Sequence, residues 1–411
     1  MARTPIRCSC ASLLLAAALP AQQAGPARGS DVNGYNVVNW FETGYRFAEV
    51  GGDFGKYRSD VNYGNGVRLL GSSFTAHSLD GHGRYFDELA IQTLGLGNDP
   101  YQSATFRAQK NRVYRYDLRW WLNEYYSPAL RIAQGQHLED TRRRFQDHDL
   151  TLFPQSGLKF RFGYSRNSQT GPGLSTVQQF GAREDEFPLF ADVRRQRNEY
   201  RLGGEAGGEG LKLTWLHRWD FYKDDSTQFL TGASAGNNSL DRIALSRFYR
   251  AQPYHGSTPA WLVNLRAERS RWAANGRFAY AGGRRDFLFD ESAFGSDRFG
   301  LARARQILVA GNARRPVTSG DFLLSFFPGG RVTVTNNTAF HSTRIDGDAA
   351  YRELDLASLL SEVVYFRFLG IRTASNATQL YFQAVPQAGF HAGYQFATRR
   401  VRSIENFSVP G

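Results

Sequence analysis

Apolar and polar residues alternate along much of this chain. Between residues 158 and 164 every second side chain is aliphatic or aromatic, and the residues between them are Lys159, Arg161 and Gly163. Side chains on a strand point alternately to its two faces, so this pattern predicts a β-strand with one apolar face and one charged or small face. A second alternating run stops at Pro154, and only a Gln-Ser-Gly corner separates the two runs. We therefore predict a tight hairpin.

The same plan returns twice, around Pro328 with its two following glycines and around Pro386. Proline closes a strand where its missing N–H costs no ladder bond. Three copies of strand, proline turn and strand predict an all-β chain built from tight hairpins. The segment 127–137 is polar, 165–197 keeps no persistent alternation, and 284–304 is rich in Asp, Gly and Arg. We predict loops there, the last two of them long.

The hydropathy of the chain indicates which kind of β-protein these hairpins form. The chain has 411 residues, 41% of them hydrophobic and 14% aromatic, with a mean hydropathy of −0.47. Beyond the first twenty-odd residues no apolar run approaches the roughly 18–20 residues that a membrane helix needs. A strand of a membrane barrel turns only every second residue toward lipid, which lowers its average hydropathy. We predict a large transmembrane antiparallel β-barrel of the outer-membrane type over 35–411, with on the order of 16 to 20 strands.

The first residues predict export. Arg3 and Arg7 precede an apolar run over 11–19 and a Leu-Pro-Ala cleavage site, so 1–21 is predicted to be a signal peptide. The segment 22–34 is predicted to be a flexible periplasmic lead. Cys8 and Cys10, the only cysteines, lie in the signal peptide. The mature chain is therefore expected to have no disulfide, no thiol nucleophile and no covalent haem attachment, and its predicted location is the outer membrane.

Six arginines are candidate functional residues at strand ends or on an inner wall. One interpretation is an arginine-rich lumen that attracts anions; the other is a salt-bridged inner wall with a basic strand end. No metal template and no catalytic motif is found, so we expect no metal site and no enzyme. The net charge is +12, but acidic residues are interleaved with the arginines throughout, so we expect no nucleic acid partner. The six candidates are Arg115, Arg119, Arg142, Arg143, Arg144 and Arg161.

The order of several short motifs resembles a known family. Tyr114-Arg-Tyr-Asp117 is followed by Asp140-Thr-Arg-Arg-Arg144, then by Asp149-Leu-Thr-Leu-Phe-Pro154 and a Phe-Arg-Phe-Gly-Tyr run. This series resembles the decahaem-associated outer-membrane barrels of the MtrB/PioB type. The resemblance implies a sheath around a multihaem cytochrome, which carries electrons across the outer membrane. Haem would then be held by the partner cytochrome and not by this chain.

Two further expectations concern completeness and function. Members of that family are larger barrels, and this chain stops after Phe407 without a final aromatic strand end, so we expect part of a longer chain. The functional hypothesis is an outer-membrane barrel, in contact with membrane lipid, that serves as a pore or as a scaffold around a cytochrome. The alternatives are a porin-like diffusion channel with an arginine-rich lumen and an exported soluble β-protein.

Overall fold

The computed structural model describes residues 29–132, 135–181, 186–235 and 242–408. The predicted signal peptide lies outside these residues. The described chain is all-β, about 80% strand with one helix, and its 18 strands form one large antiparallel sheet. The predicted all-β class and the expected range of strand numbers are confirmed.

The strands follow the chain as a meander. In order they are β1 (Ser30–Val32), β2 (Tyr35–Arg46), β3 (Gly66–Ser78), β4 (Glu88–Leu96), β5 (Tyr101–Lys110), β6 (Tyr114–Ile132), β7 (Gly135–Leu152), β8 (Leu158–Val177), β9 (Phe187–Gly208), β10 (Leu211–Asp224), β11 (Thr227–Phe229), β12 (Ala244–Ala251), β13 (Tyr254–Arg269), β14 (Trp272–Ser296), β15 (Ala302–Gly329), β16 (Val332–Asp355), β17 (Ser358–Val385) and β18 (Ala388–Ser408). Helix α1 (Phe54–Asp60) connects β2 to β3.

One interruption breaks the simple order. β9 pairs with β10 and then with the short β11, while β14 pairs with β13 and then with β12. β10 also pairs with β13, and β11 with β12. The segments β10–β11 and β12–β13 therefore act as two bent strands inserted between β9 and β14. In the described part of the chain, β18 has residue-by-residue pairing with β17, and none that joins it back to β1 or β2.

The three proline hairpins are confirmed as β7–β8, β15–β16 and β17–β18. A further tight turn joins β1 to β2, within the segment predicted as a flexible lead. Asn33 has φ 48° and Gly34 has φ 82°. Two consecutive residues at positive φ match the turn that suits strand twist best in a two-residue hairpin, and Asn-Gly is its preferred sequence.

The predicted loops are wrong over most of their length. β8 and β9 cover most of 165–197, β14 and β15 cover most of 284–304, and β6 and β7 extend through most of 127–137. Over 165–176 and 284–292 these strands have polar or small residues on both faces, so the alternation that marks a half-buried strand is lost. Backbone hydrogen bonding continues there because each strand is already paired in register with its neighbour.

Register divides the sheet into two contrasting faces. We call one the apolar face; near the hairpin turns, one of its rows runs through Trp272, Phe326, Val334 and Leu380. We call the other the polar face. It carries charged side chains on β5 to β10 and mostly small or uncharged ones on β14 to β18. Further large side chains of the apolar face near the turns are Tyr114, Tyr116, Leu118, Leu150, Phe160, Phe162, Leu213, Trp215, Phe278, Phe322, Leu324 and Phe382.

A small buried core lies at the end of the sheet away from the hairpin turns. Phe187 and Leu189 have the same parity on β9 as Arg195 and Arg197, which places the core on the polar face. Beside it, the buried Glu291 carboxylate accepts a hydrogen bond from Gln179 at 2.9 Å and pairs with Arg250 at 2.6 Å. The core residues are Val177, Phe187, Leu189, Ile243, Leu245, Phe248 and Ala293.

Helix α1 is short and is fixed by polar contacts. The Asp53 side chain accepts a hydrogen bond from the Lys56 backbone N–H at 3.0 Å and caps the helix N-terminus. Arg58 makes two hydrogen bonds to the Asp140 carboxylate, at 3.0 and 3.1 Å. Its guanidinium lies 4.1 Å from the ring centroid of Tyr126. In the described residues, no helix is both long and apolar enough to cross a membrane.

Candidate functional site

Arg201 is the centre of an ionic network on the polar face. Its guanidinium donates hydrogen bonds to Asp147 and, at 3.1 Å, to Asp149, both on β7. It also donates to Glu199 at 3.3 Å on its own strand. Gly163 on β8 lies between Asp149 and Arg201 in register. The Arg201 side chain can cross β8 because this position has no side chain: a Cβ on Gly163 would lie 2.3 Å from Nε of Arg201.

A second group of charges surrounds Glu205. Its carboxylate accepts a hydrogen bond from Nζ of Lys159 at 3.0 Å and lies 3.3 Å from Nζ of Lys212. Arg161 is 3.6 Å away. These contacts join β8, β9 and β10, because Lys159 is directly opposite Glu205 and Lys212 is its diagonal neighbour on β10.

The network continues on both sides of these two groups. On β10, Asp220 binds Arg197 with a shortest distance of 2.5 Å, and Asp224 binds Arg195 at 3.0 Å. On β6, Asp117 accepts hydrogen bonds from Arg107 and Arg115, each at 2.7 Å. Exposed pairs of this kind each contribute about 0–1 kcal/mol to stability. Their main consequence is a wall of paired charges from β5 to β10.

The six arginines predicted from the sequence do not form one site. Arg115, Arg119, Arg143 and Arg161 lie on the polar face, whereas Arg142 and Arg144 project from the opposite side. Arg119 is opposite Asp147 in register, and the Arg143 guanidinium lies 4.0 Å from the ring centroid of Tyr125. Arg142 pairs with Glu124 at 3.1 Å. Consecutive residues 142–144 are separated because neighbours on a strand point to opposite faces.

Sequence reasoning missed the residues at the centre of the network. Arg197 falls at the end of the predicted loop 165–197, and Glu199 and Arg201 follow it directly. The useful pattern was present: every second residue from Arg195 to Arg201 is charged, with Glu205 four residues beyond. An alternation of charged and uncharged residues predicts a strand as well as hydropathy does.

On the apolar face, aromatic rings form a continuous row across β5 to β10. Successive ring centroids are 5.1 to 6.2 Å apart. The Tyr116 hydroxyl and Nδ1 of His148 are 2.7 Å apart, and the Tyr164 hydroxyl donates to Asn198 at 3.2 Å. Beyond the row, away from the hairpin turns, the same face becomes polar. The row consists of Phe106, Tyr116, His148, Tyr164, Tyr200 and Phe221.

Two carboxylates fix the connection between β14 and β15, at the end away from the hairpin turns. Burial raises the pKa of Asp297, but hydrogen bonds from the backbone N–H groups of Leu301 and Phe299 and from Arg303 outweigh it, so the pKa lies below its ordinary value. Asp355 also binds Arg303. Its burial raises the pKa, and hydrogen bonds from the Ala304 N–H and from Arg303 lower it overall.

The comparisons with known proteins add no relative. No family model, no curated protein and no solved structure matches this chain. Across the described residues, no group of three or more His, Cys, Asp or Glu side chains is arranged to hold a metal ion. The candidate site is therefore defined by its own geometry. On β5 to β10 the polar face carries the ionic network, and the same stretch of these strands carries aliphatic and aromatic side chains on the apolar face. We call this stretch of the apolar face, between the hairpin turns and the aromatic row, the apolar band.

Proposed function

We propose that the sheet is the wall of an outer-membrane β-barrel, with the apolar face toward lipid and the polar face lining a water-filled lumen. One observation carries this proposal: on the same stretch of the same strands, one face is aliphatic and aromatic while the other is ionic. A soluble sheet would cover its apolar face with a second layer, whereas large apolar side chains stay exposed here. On β8 to β10, where the opposite face is ionic, Leu158, Phe162, Tyr200 and Phe221 are between 41% and 50% exposed.

The dimensions of the apolar band support the same assignment. On β15 it runs from Phe326 to about Thr318, where Pro316 and Arg314 follow on the same face. About nine residues at ~3.3 Å each, tilted by roughly 40°, cover about 23 Å. The lipid-facing band of such barrels is about 25 Å tall and flanked by aromatic girdles. The aromatic row at Tyr164 and Tyr200 fits one of these girdles.

The proposal has a structural requirement at β18. Every backbone group inside a bilayer needs a hydrogen-bond partner, so a barrel cannot leave a strand edge open to lipid. β18 pairs with β17 along one edge. In the membrane, its other edge therefore also needs a hydrogen-bonded strand partner.

Within this class we propose that the barrel is a scaffold around a partner, and a multihaem cytochrome is the partner that the family resemblance suggests. Strand length supports a sheath. β15 and β17 each have 28 residues, which at ~3.3 Å per residue and a tilt of roughly 40° span about 70 Å along the barrel axis. The hydrocarbon core is only about 30 Å thick. On this side of the sheet the wall would extend well beyond the bilayer, which suits an elongated occupant better than a short diffusion pore.

A porin-like channel is the second candidate, favoured by the arginines that are weakly matched on the polar face. Arg161 is 60% exposed, and its nearest carboxylate is 3.6 Å away. Such groups would attract anions into an open lumen.

One preparation tests all three hypotheses. Membranes of the native host are extracted with mild detergent, and the haem absorbance of the purified protein is recorded. Haem that follows the protein through purification supports the sheath. A colourless protein that conducts ions in a planar bilayer supports the channel. Recovery in the soluble periplasmic fraction without detergent would support the exported soluble β-protein and refute the barrel.

A further inference from the structure

Four arginines cluster on the side of the sheet that carries the apolar face, just beyond the aromatic row. Arg166 follows Tyr164 by two residues on β8, and Arg144 and Arg142 lie four and six residues from His148 on β7. The fourth, Arg58, comes from α1. We call Arg58, Arg142, Arg144 and Arg166 the arginine cluster. Arg166 and Arg144 lie about 7 to 13 Å along the strands from the row, at ~3.3 Å per residue.

The cluster lines two adjoining clefts that share Arg144. The larger has a volume of about 440 Å³ and is bordered by Arg58, Arg142 and Thr170. The smaller, about 150 Å³, is bordered by Arg166, Ser168 and Trp120. Ser168 and Thr170 are opposite Arg144 and Arg142 in register. Guanidinium groups are therefore placed beside hydroxyl groups, a combination of donors that suits phosphate oxygens.

The charges of the cluster are only partly neutralised. Asp140 binds Arg58, and Glu124 binds Arg142 at 3.1 Å. Arg166 donates to the side chain of Gln196 at 3.3 Å. Within the described residues Arg144 has no carboxylate at ion-pair distance. Four guanidinium groups thus face two carboxylates, and the clefts keep a net positive charge.

Arg58 is placed here by a long-range contact. α1 lies between β2 and β3, yet Arg58 reaches β7 and is held there by Asp140 and by the ring of Tyr126 on β6. A guanidinium held by a bidentate pair and a ring loses little further freedom when it binds a ligand. The contact therefore preorganises one edge of the larger cleft.

We propose that the arginine cluster binds the phosphate groups of an anionic membrane lipid. This inference rests on the proposed function, because only a lipid-facing apolar band would place the clefts at headgroup depth. Basic side chains near a membrane surface attract anionic headgroups, and arginine binds phosphate through two parallel hydrogen bonds. The lipid chains would then lie along the apolar face, past the aromatic row.

The test measures lipid binding to the full purified chain in detergent by native mass spectrometry. The probes are a phosphatidate and a phosphatidylcholine with the same acyl chains. Wild-type protein is expected to retain phosphatidate preferentially. R142Q/R144Q/R166Q is expected to lose at least about tenfold in apparent phosphatidate affinity. R284Q/R344Q/R400Q is the matched control, because it removes three arginines from the same side of the sheet on β14, β16 and β18, outside the clefts.

The outcomes separate the possible explanations. Equal phosphatidate binding by the cluster variant and wild type would overturn the proposal, as would equal binding of the two lipids by wild type. Millimolar inorganic phosphate that displaces the lipid headgroup and stays bound without lipid would indicate a free-phosphate site and overturn the lipid assignment. A strand-type circular dichroism spectrum checks that each variant folds. Flotation with vesicles tests the barrel separately: a chain that floats but lacks phosphatidate preference refutes only this inference.

Discussion

Arginine substitutions at two adjacent residues of β15 should have different effects on the free energy of unfolding, because the two side chains project from opposite faces of the sheet. Phe322 is on the apolar face near the middle of the band and is 41% exposed; Leu323 is on the polar face and is 37% exposed. Leu323 is flanked in register by Asn275 and Asn337. Phe322 and Leu323 are both large apolar side chains of similar exposure, and they differ chiefly in the face from which they project.

We expect Phe322→Arg to destabilise the folded protein in lipid by about 2–4 kcal/mol, the cost of an arginine at the lipid-facing midplane of a barrel. Leu323→Arg keeps its guanidinium in the lumen, so its cost is expected to stay below about 1 kcal/mol. The difference in free energy of unfolding between the two variants then measures how differently the two faces tolerate a charge.

The assay is a denaturant titration of the protein folded in phospholipid vesicles, followed by tryptophan fluorescence. The seven tryptophans of the chain supply the signal, and linear extrapolation gives the free energy of unfolding. If Leu323→Arg costs as much as Phe322→Arg, or more, the assignment of the apolar face to lipid is wrong.

Three further outcomes are expected. Arg201→Gln should lower the free energy of unfolding by about 1–3 kcal/mol, because it leaves three carboxylates without their shared cation. Its control is Arg266→Gln, which breaks the exposed pair with Glu268 and should lower the free energy of unfolding by less than about 1 kcal/mol. Gly163→Ala should destabilise the folded protein by about 1–3 kcal/mol, because the added Cβ displaces Arg201. Its control is Gly208→Ala, which should have little effect because a Cβ there meets no atom within 4 Å. The vesicle titration measures the free energy of unfolding of all four variants. Asp297 and Asp355 have folded-state pKa values below 3.8, so their stabilisation is complete above that pH and is lost as the pH falls through the lower folded values. Hydrogen exchange of the β14–β15 connection should rise in that range, and a flat profile would contradict the sign.

The fold could be predicted where a strand separates two different environments. Over residues 158–164 apolar residues alternate strictly with charged or small ones, and β8 begins at Leu158. The second half of β8 lies beyond the apolar band, where Arg166, Ser168 and Thr170 project from the same side as Phe160 and Phe162. Without a hydropathy contrast, strand continuation depends on register with β7 and β9, which local sequence does not encode.

The candidate site could be predicted only in its residue types. The sequence indicates that arginines and carboxylates share a wall, and the pairs of Asp117 with Arg107 and Arg115 are of this kind. It does not indicate that Arg201 crosses β8, because this contact depends on Gly163 standing between two strands that are distant in sequence. Nor does it indicate that α1 brings Arg58 to Asp140, 82 residues away.

A nitroxide scan of β15 tests the central claim most directly. Cysteines occur only at Cys8 and Cys10, in the predicted signal peptide, so single cysteines can be introduced and labelled at each position from 318 to 326 in protein folded in vesicles. Collision rates with oxygen, which concentrates in lipid, and with a water-soluble nickel complex are then measured by electron paramagnetic resonance. We predict strict alternation: oxygen access at even positions such as Phe322 and nickel access at odd positions such as Ser319. Nickel access at every position would contradict a lipid-facing apolar face and with it the membrane barrel.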